Sequence, residues 1–221
     1  MTASLDEVYD RLFSAFGPQH WWPGESPFEV MIGAILVQNT AWKNVQRAID
    51  NLRDEGLLSP QALWRLPREE LEELIRPAGY FRLKSGRLRN LLSYFMDRYD
   101  GSTEAMFATP VDLLREELLA VNGVGPETAD SILLYAGGLR VFVVDTYTHR
   151  VLARHGWIGY DADYHAIQDH FESNLPSDAA LYNEYHALLI RVGHDYCRKT
   201  PKCEECPLRD LLPEGGPLQR D

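Results

Sequence analysis

Four groups of residues in this chain carry side chains or backbone able to do chemistry. Asp145 closes an apolar run, Val141-Phe142-Val143-Val144, just ahead of Thr146-Tyr147. A carboxylate beside an apolar wall can stabilise a developing sugar cation, or take a proton from an attacking water. The same residue at the start of a helix is also an N-cap, worth about 1 kcal/mol, and the two roles are compatible. Gly123-Val124-Gly125 ahead of Pro126 is a tight turn into a helix N-terminus. Its bare N–H groups suit a phosphate oxygen; it equally suits a plain corner between two helices. Trp21-Trp22-Pro23 puts two indoles in a loop, either to cover a core or to form a wall on which a flipped base stacks. An indole face favours a cationic base by about 1–2 kcal/mol when desolvated. Cys197, Cys203 and Cys206 are the three cysteines, an odd, clustered set that reads as metal ligation and not as disulfides.

The chain that must position these groups has 221 residues, 45% of them hydrophobic, enough for one domain or two small ones. No stretch approaches the roughly 18 apolar residues of a membrane span. The N-terminus, MTASLDEVYDRLFSAF, carries acidic residues and no basic region ahead of an apolar block, so it reads as an amphipathic helix and not a signal peptide. A soluble cytoplasmic protein is expected. The net charge of −11 argues against a protein that coats nucleic acid. The charge is uneven, however. Residues 82–89 (RLKSGRLR) are basic without an acid, and residues 191–202 add Arg191, Arg198, Lys199 and Lys202. That balance suits contact with a few phosphates.

Helical periodicity runs almost throughout. Helices are expected at 5–16, 28–37, from Trp42 through Ile49, at 60–66, 68–76, 83–98, 110–120, 126–136, Thr146–His155, 161–174 and 177–193. Residues 17–27 (GPQHWWPGESP) read as a loop. Val141–Val144 alone has a β look, too short for a sheet, so the fold class is all-α. The histidines, including His149, His155, His165, His170, His186 and His194, form no metal pattern, and structural roles are expected for them.

The pattern L-x-x-x-G-V-G-P-x-T-A-x-x-I, from Leu119, matches the helix-hairpin-helix motif of DNA repair glycosylases. With the helix order and the VVDT segment, residues 28–210 resemble the endonuclease III superfamily of base-excision glycosylases. The resemblance implies two helical domains with a DNA cleft between them: residues 28–137 bearing the hairpin, and residues 1–27 plus 138–221 bearing the cysteine loop. It implies a monomer acting on double-stranded DNA that contains a damaged base, cytoplasmic and nucleoid-associated. Asp145 falls on the family's catalytic aspartate. Gly123, Val124, Gly125 and Thr128 fall on the DNA-holding hairpin. Gln38, in LVQNT, and Tyr80, in AGYFRLK, fall on residues that fill the hole left by a flipped base, with Phe81 as a second candidate at the latter place. Without the family pattern, Gln38 reads as a helix cap and Tyr80 as surface packing. Lys84 and Arg87 are expected to reach flanking phosphates.

Two departures from the family matter. Strand-cutting members carry a lysine in the hairpin, whose amine forms a Schiff base with the sugar; here Glu127 stands in that place. A monofunctional enzyme with weak or absent lyase activity is expected. The segments WWP, FEVMIGAILVQNTAW, IRPAGYFRLKSGRL and VVDTY look like the 3-methyladenine branch, which implies excision of alkylated purines with Trp21, Trp22 and Pro23 lining the base pocket. The other readings are a glycosylase for oxidised or mismatched pyrimidines, and a non-catalytic DNA-binding member. The second departure is the cysteine loop. The family's four cysteines are separated by six, two and five residues. This chain has C-x5-C-x2-C and then Leu212 in the last place. An altered [4Fe–4S] cluster is expected, with His194, Asp210 or solvent as fourth ligand. Zinc and free thiols are the alternatives.

Overall fold

A computed structural model of the protein describes residues 3–219. Twelve α-helices and four short 3₁₀ or π turns lie among the described residues, with no β-strand among them. They divide into two compact units, one formed by Trp22–Leu139 and the other by Met1–Trp21 with Arg140–Asp221. The chain passes between units at 21/22 and 139/140, where the sequence expectation put 27/28 and 137/138.

The Trp22–Leu139 unit, here the hairpin unit, is built on α2 (Pro27–Leu36). Nine of the ten residues of α2 are buried, so it forms a central core helix. Its one buried charge, Glu29, meets Arg53 of α3 (Trp42–Asp54) at 2.8 Å. Two short helices follow, α4 (Pro60–Arg65) and α5 (Arg68–Leu74). The long α6 (Phe81–Tyr99) then buries Lys84, Ser85, Leu88, Leu91, Leu92 and Phe95 along one stripe. The five-residue α7 (Thr103–Phe107), capped by Ser102, was not expected from the sequence. One turn and a half is too short to show a period. The hairpin pair is α8 (Val111–Ala120) and α9 (Pro126–Ser131), the latter continuing as a π-helical turn, Ile132–Ala136. Arg115 of α8 grips the fully buried Asp130 of α9 through both carboxylate oxygens, at 2.6 and 2.9 Å. Such a bidentate pair fixes the angle between the two helices.

In the other unit, the cysteine unit, α1 (Leu5–Phe16) is capped by Ser4, whose Oγ accepts from the Glu7 N–H, and buries Leu5, Val8 and Leu12. It packs against α12 (Ala179–Asp195), where the Tyr185 hydroxyl donates to the Leu5 carbonyl at 2.8 Å. α10 (Thr146–Arg154) and α11 (Tyr164–Asn174) complete the unit. The Val141–Val144 run is extended but pairs with no strand. The Phe142 N–H donates to Glu172 at 2.7 Å, the Gln168 side chain donates to the Phe142 carbonyl at 2.7 Å, and the Val144 N–H donates to the Tyr164 hydroxyl at 3.4 Å. Side chains of α11 thus supply the hydrogen bonds a sheet would have supplied.

Candidate active site and DNA-binding elements

Asp145 is the N-cap of α10, and its Oδ1 accepts the Thr148 N–H at 2.7 Å. The capping and chemical roles therefore coincide in one side chain. His186 of α12 brings its Nε2 to 3.7 Å from the same oxygen, and the two side chains are 10% and 4% exposed. α10 and α12 run close because Gly193 lies under Tyr147; a Cβ at 193 would sit 2.6 Å from Tyr147 Cδ1. Phe142 lies edge-on to the His186 ring at 6.3 Å. Burial by itself pushes the Asp145 carboxyl up. The attraction of His186, with the Thr148 N–H, outweighs burial and holds it below the ordinary carboxylate range. The Thr148 N–H is bound to Oδ1, and His186 stands beside the same oxygen. Sequence reading missed His186: it lies on another helix, and no spacing pattern connects it to Asp145.

The glycine hairpin is shaped by its neighbours. Gly123 has φ +97°, and a Cβ there would clash with Arg87 Cγ. The turn therefore requires glycine twice over, for its conformation and for the arginine stem packed on it. Gly125 is the exposed N-cap of α9, with open space around its Cα. Val124 is buried and anchors the turn to the core. Gln38 is drawn into the same group. Its amide donates to the Gly123 carbonyl at 3.1 Å and to the Thr128 hydroxyl at 3.0 Å, and its oxygen accepts from Arg87. Thr128 is buried, so its side chain braces the hairpin and does not face a ligand. Glu127, by contrast, is exposed beside the turn.

Lys84 is a correction. It was expected to reach phosphate, but it is 1% exposed, and its ammonium donates to the carbonyls of Leu36 at 2.8 Å and Ala78 at 2.7 Å. The physical reason is helical register, since position 84 lies on the stripe of Leu88, Leu91 and Phe95. Arg89 is likewise committed to the protein, to the carbonyls of Trp64, at 2.6 Å, and of Leu66. Of the basic run, Arg82 is the exposed member. Tyr80 is 69% exposed, at the tip of its loop, in the left-handed conformation with φ 45°.

The tryptophans separate. Trp22 packs in the hairpin unit, with its ring 5.0 Å from Trp42 and 5.3 Å from Tyr135, over Gly33 of α2. Trp21 is half-buried in the cysteine unit, and Pro23 is exposed. Trp42 and Tyr135 are members of the aromatic group that sequence reading missed. Tyr135 lies in the π-turn, a feature frequent at functional sites.

Cys197, Cys203 and Cys206 line one small cavity together with Arg154, His155 and Leu212. Burial pushes the Cys203 thiol up and the Cys206 thiol up to about 11. Arg154 donates to Cys197 Sγ at 3.4 Å and to the Arg198 and Lys199 carbonyls, and Arg150 donates to the Cys197 carbonyl at 2.5 Å, tying the loop to α10. The expected fourth ligands are corrected. The His194 side chain is exposed and paired to Asp195, the Asp210 side chain is exposed toward Arg11, and neither lines the cavity. Leu212 does line it and offers no ligand atom. Among the described residues no three His, Cys, Asp or Glu side chains stand close enough to hold a metal ion as they are arranged. The three cysteines share this cavity with His155, whose Nε2 is buried without a hydrogen-bond partner among the described residues, but in this arrangement they are not drawn together as a ligand set.

Among the described residues no helix is long and apolar enough to cross a membrane. Comparison with known proteins agrees with the geometry. A family profile described as HhH-GPD superfamily base excision DNA repair protein matches residues 32–177, and one described as the iron–sulfur binding domain of endonuclease III matches residues 198–211. A Methanocaldococcus jannaschii protein provisionally named a DNA repair glycosylase is 48% identical over 207 residues, 93% of this chain and 94% of that one. The structure of H. pylori 3-methyladenine DNA glycosylase bound to 1,N6-ethenoadenine is similar with a TM-score of 0.76 at 26% identity, covering 87% of this chain and 98% of that one. A non-covalent endonuclease III–DNA complex is similar with a TM-score of 0.81 at 26% identity, covering 97% of each chain. The all-helical fold, the glycine hairpin and these matches together make the chain a base-excision DNA glycosylase of the HhH-GPD superfamily.

Proposed function

We propose that the protein is a monofunctional glycosylase, acting as a monomer, that hydrolyses the bond between deoxyribose and an alkylated purine in duplex DNA. The observation that carries this reading is the state of Asp145. Its carboxyl is held ionised in a largely buried site beside His186, where it can stabilise a sugar cation or take a proton from water. Water is the nucleophile. The lysines of the chain are Lys43, Lys84, Lys199 and Lys202; Glu127 occupies the hairpin position, and the Lys84 amine is committed to two carbonyls.

Alkylated purines such as 3-methyladenine are cationic and leave easily, so a single carboxylate suffices. The Trp22, Trp42 and Tyr135 group, whose rings meet edge-on and tilted, is with Pro23 suited to a cationic base. The likeness to a 3-methyladenine glycosylase supports this substrate class. The hairpin backbone at Gly123 and Gly125, with Arg87, holds phosphate. Gln38 and Tyr80 fill the space that the flipped base leaves. A second reading, action on oxidised or mismatched pyrimidines, draws on the likeness to the endonuclease III–DNA complex.

Cys197, Cys203 and Cys206 would hold an altered [4Fe–4S] cluster, whose part is to brace the loop that presents Arg198, Lys199 and Lys202 to DNA. The iron and acid-labile sulfide of purified protein test this directly; colourless, iron-free protein contradicts it, and bound zinc would replace it. For the activity, oligonucleotides carrying single damaged bases are the test. Release of 3-methyladenine with an intact strand is expected, whereas release of oxidised pyrimidines alone favours the second reading.

A further inference from the structure

Lys84 is buried in the hairpin unit, and the contacts of its ammonium are to backbone carbonyls. Its Nζ bridges two carbonyls that helical hydrogen bonding leaves over. Leu36 ends α2, and Ala78 ends a 3₁₀ turn, Arg76–Ala78. Directly after Leu36 comes the loop of Gln38, with Asn39 at φ 53°; directly after Ala78 comes Gly79 and then Tyr80, at φ 45°. The Ala78 carbonyl accepts a second donor, the Thr40 hydroxyl, at 2.8 Å. One carbonyl is thus held by a side chain from the Gln38 loop and by the ammonium that also holds the end of α2. A tyrosine in the left-handed conformation is strained and persists only where its surroundings fix it.

We propose that Lys84 is a positioning residue that locks the Gln38 and Tyr80 loops together as one preformed wedge for the space of an extruded base. This rests on the reading of those two residues given above. An ammonium with three donors at the tip of a flexible stem can meet carbonyls arriving from two directions, and the larger, planar guanidinium of arginine would need more room than this fully buried site gives. Burying a cation is a cost the core could have avoided with methionine, and burial accordingly pulls the Lys84 ammonium down to about 8.

The test uses the full chain and a duplex with 2-aminopurine beside a damaged base, whose fluorescence reports unstacking. Lys84→Met is expected to keep its helical content and its affinity for undamaged duplex. Its unstacking signal and kcat should fall about tenfold or more with KM little changed, because small misplacements remove preorganisation. Lys84→Arg should show the same loss. Thr40→Val, which removes the second donor to the Ala78 carbonyl and buries nothing new, should give a smaller loss of the same kind, and it carries the test if Lys84→Met does not fold. If Lys84 acts through Tyr80, the Lys84→Met, Tyr80→Ala double variant is no worse than the weaker single variant. Multiplying losses, or variants that unstack and excise as the wild type does, overturn the inference. Wild-type protein that neither unstacks nor excises any damaged base overturns the glycosylase reading instead.

Discussion

Lys84 and Asp145 are both ionisable side chains withdrawn from water, one in each unit, and their charges are treated in opposite ways. Lys84 is surrounded by backbone carbonyls and has the positive Arg87 nearby. Burial, with a smaller push from Arg87, draws its ammonium down to about 8. Asp145 also suffers from burial, but His186 and Thr148 more than compensate and its carboxyl stays below the usual range. A charge kept for position can drift toward neutrality, because a neutral amine still has two N–H donors for its two carbonyls. A charge kept to meet a cation must survive burial, and that requires a partner. The difference separates a strut from a reacting group more clearly than burial does.

The largest effect expected from breaking this contrast comes from Asp145→Asn. Asparagine still caps α10, so the fold should persist and DNA should still bind, while base release falls about 10²–10⁴-fold, the range of a lost general acid or base. Asp145→Ala should add a stability loss of about 1 kcal/mol from the missing cap, read as a lower Tm. An Asn variant as active as wild type would reduce Asp145 to a cap.

A smaller effect belongs to Lys84. Its ordinary value is 10.5 and its folded value about 8. Between those values the unfolded chain binds the proton that the folded chain has released, so stability from this group rises with pH. Denaturant melts should show wild type gaining about 1–3 kcal/mol relative to Lys84→Met from pH 8 to pH 10.5. No relative gain would mean that the ammonium is not buried in solution.

The smallest effect is that of His186→Leu. Asp145 works ionised, so activity is lost as pH falls through its folded pKa. Removing His186 removes the main influence that lowers that value. The acid limb of the rate profile should move to higher pH. An unmoved limb would leave His186 a packing residue.

Much of this was legible in the sequence, and the exceptions have physical reasons. α1 could be read at Leu5–Phe16 because Ser4 caps it, its apolar residues keep a helical period and Gly17 stops it. Asp145 could be read as cap and candidate acid from one dipeptide step. Lys84 was misjudged because its neighbours in sequence are basic; its register with Leu88, Leu91 and Phe95 was the available signal. His186, Trp42 and Tyr135 carry no local signature, since each is brought to its partner by packing between elements. The absence of the family's fourth cysteine could be seen from Leu212 alone. That His194 and Asp210 point elsewhere required the fold.

The central claim is removal of a base with the backbone left whole. The most direct test incubates the protein with a duplex containing one 3-methyladenine, with and without borohydride, and resolves both the free base and the strand. The account predicts free 3-methyladenine, a strand that breaks only after alkali, and no protein–DNA adduct. A borohydride-trapped covalent complex with a strand cut before alkali would contradict it.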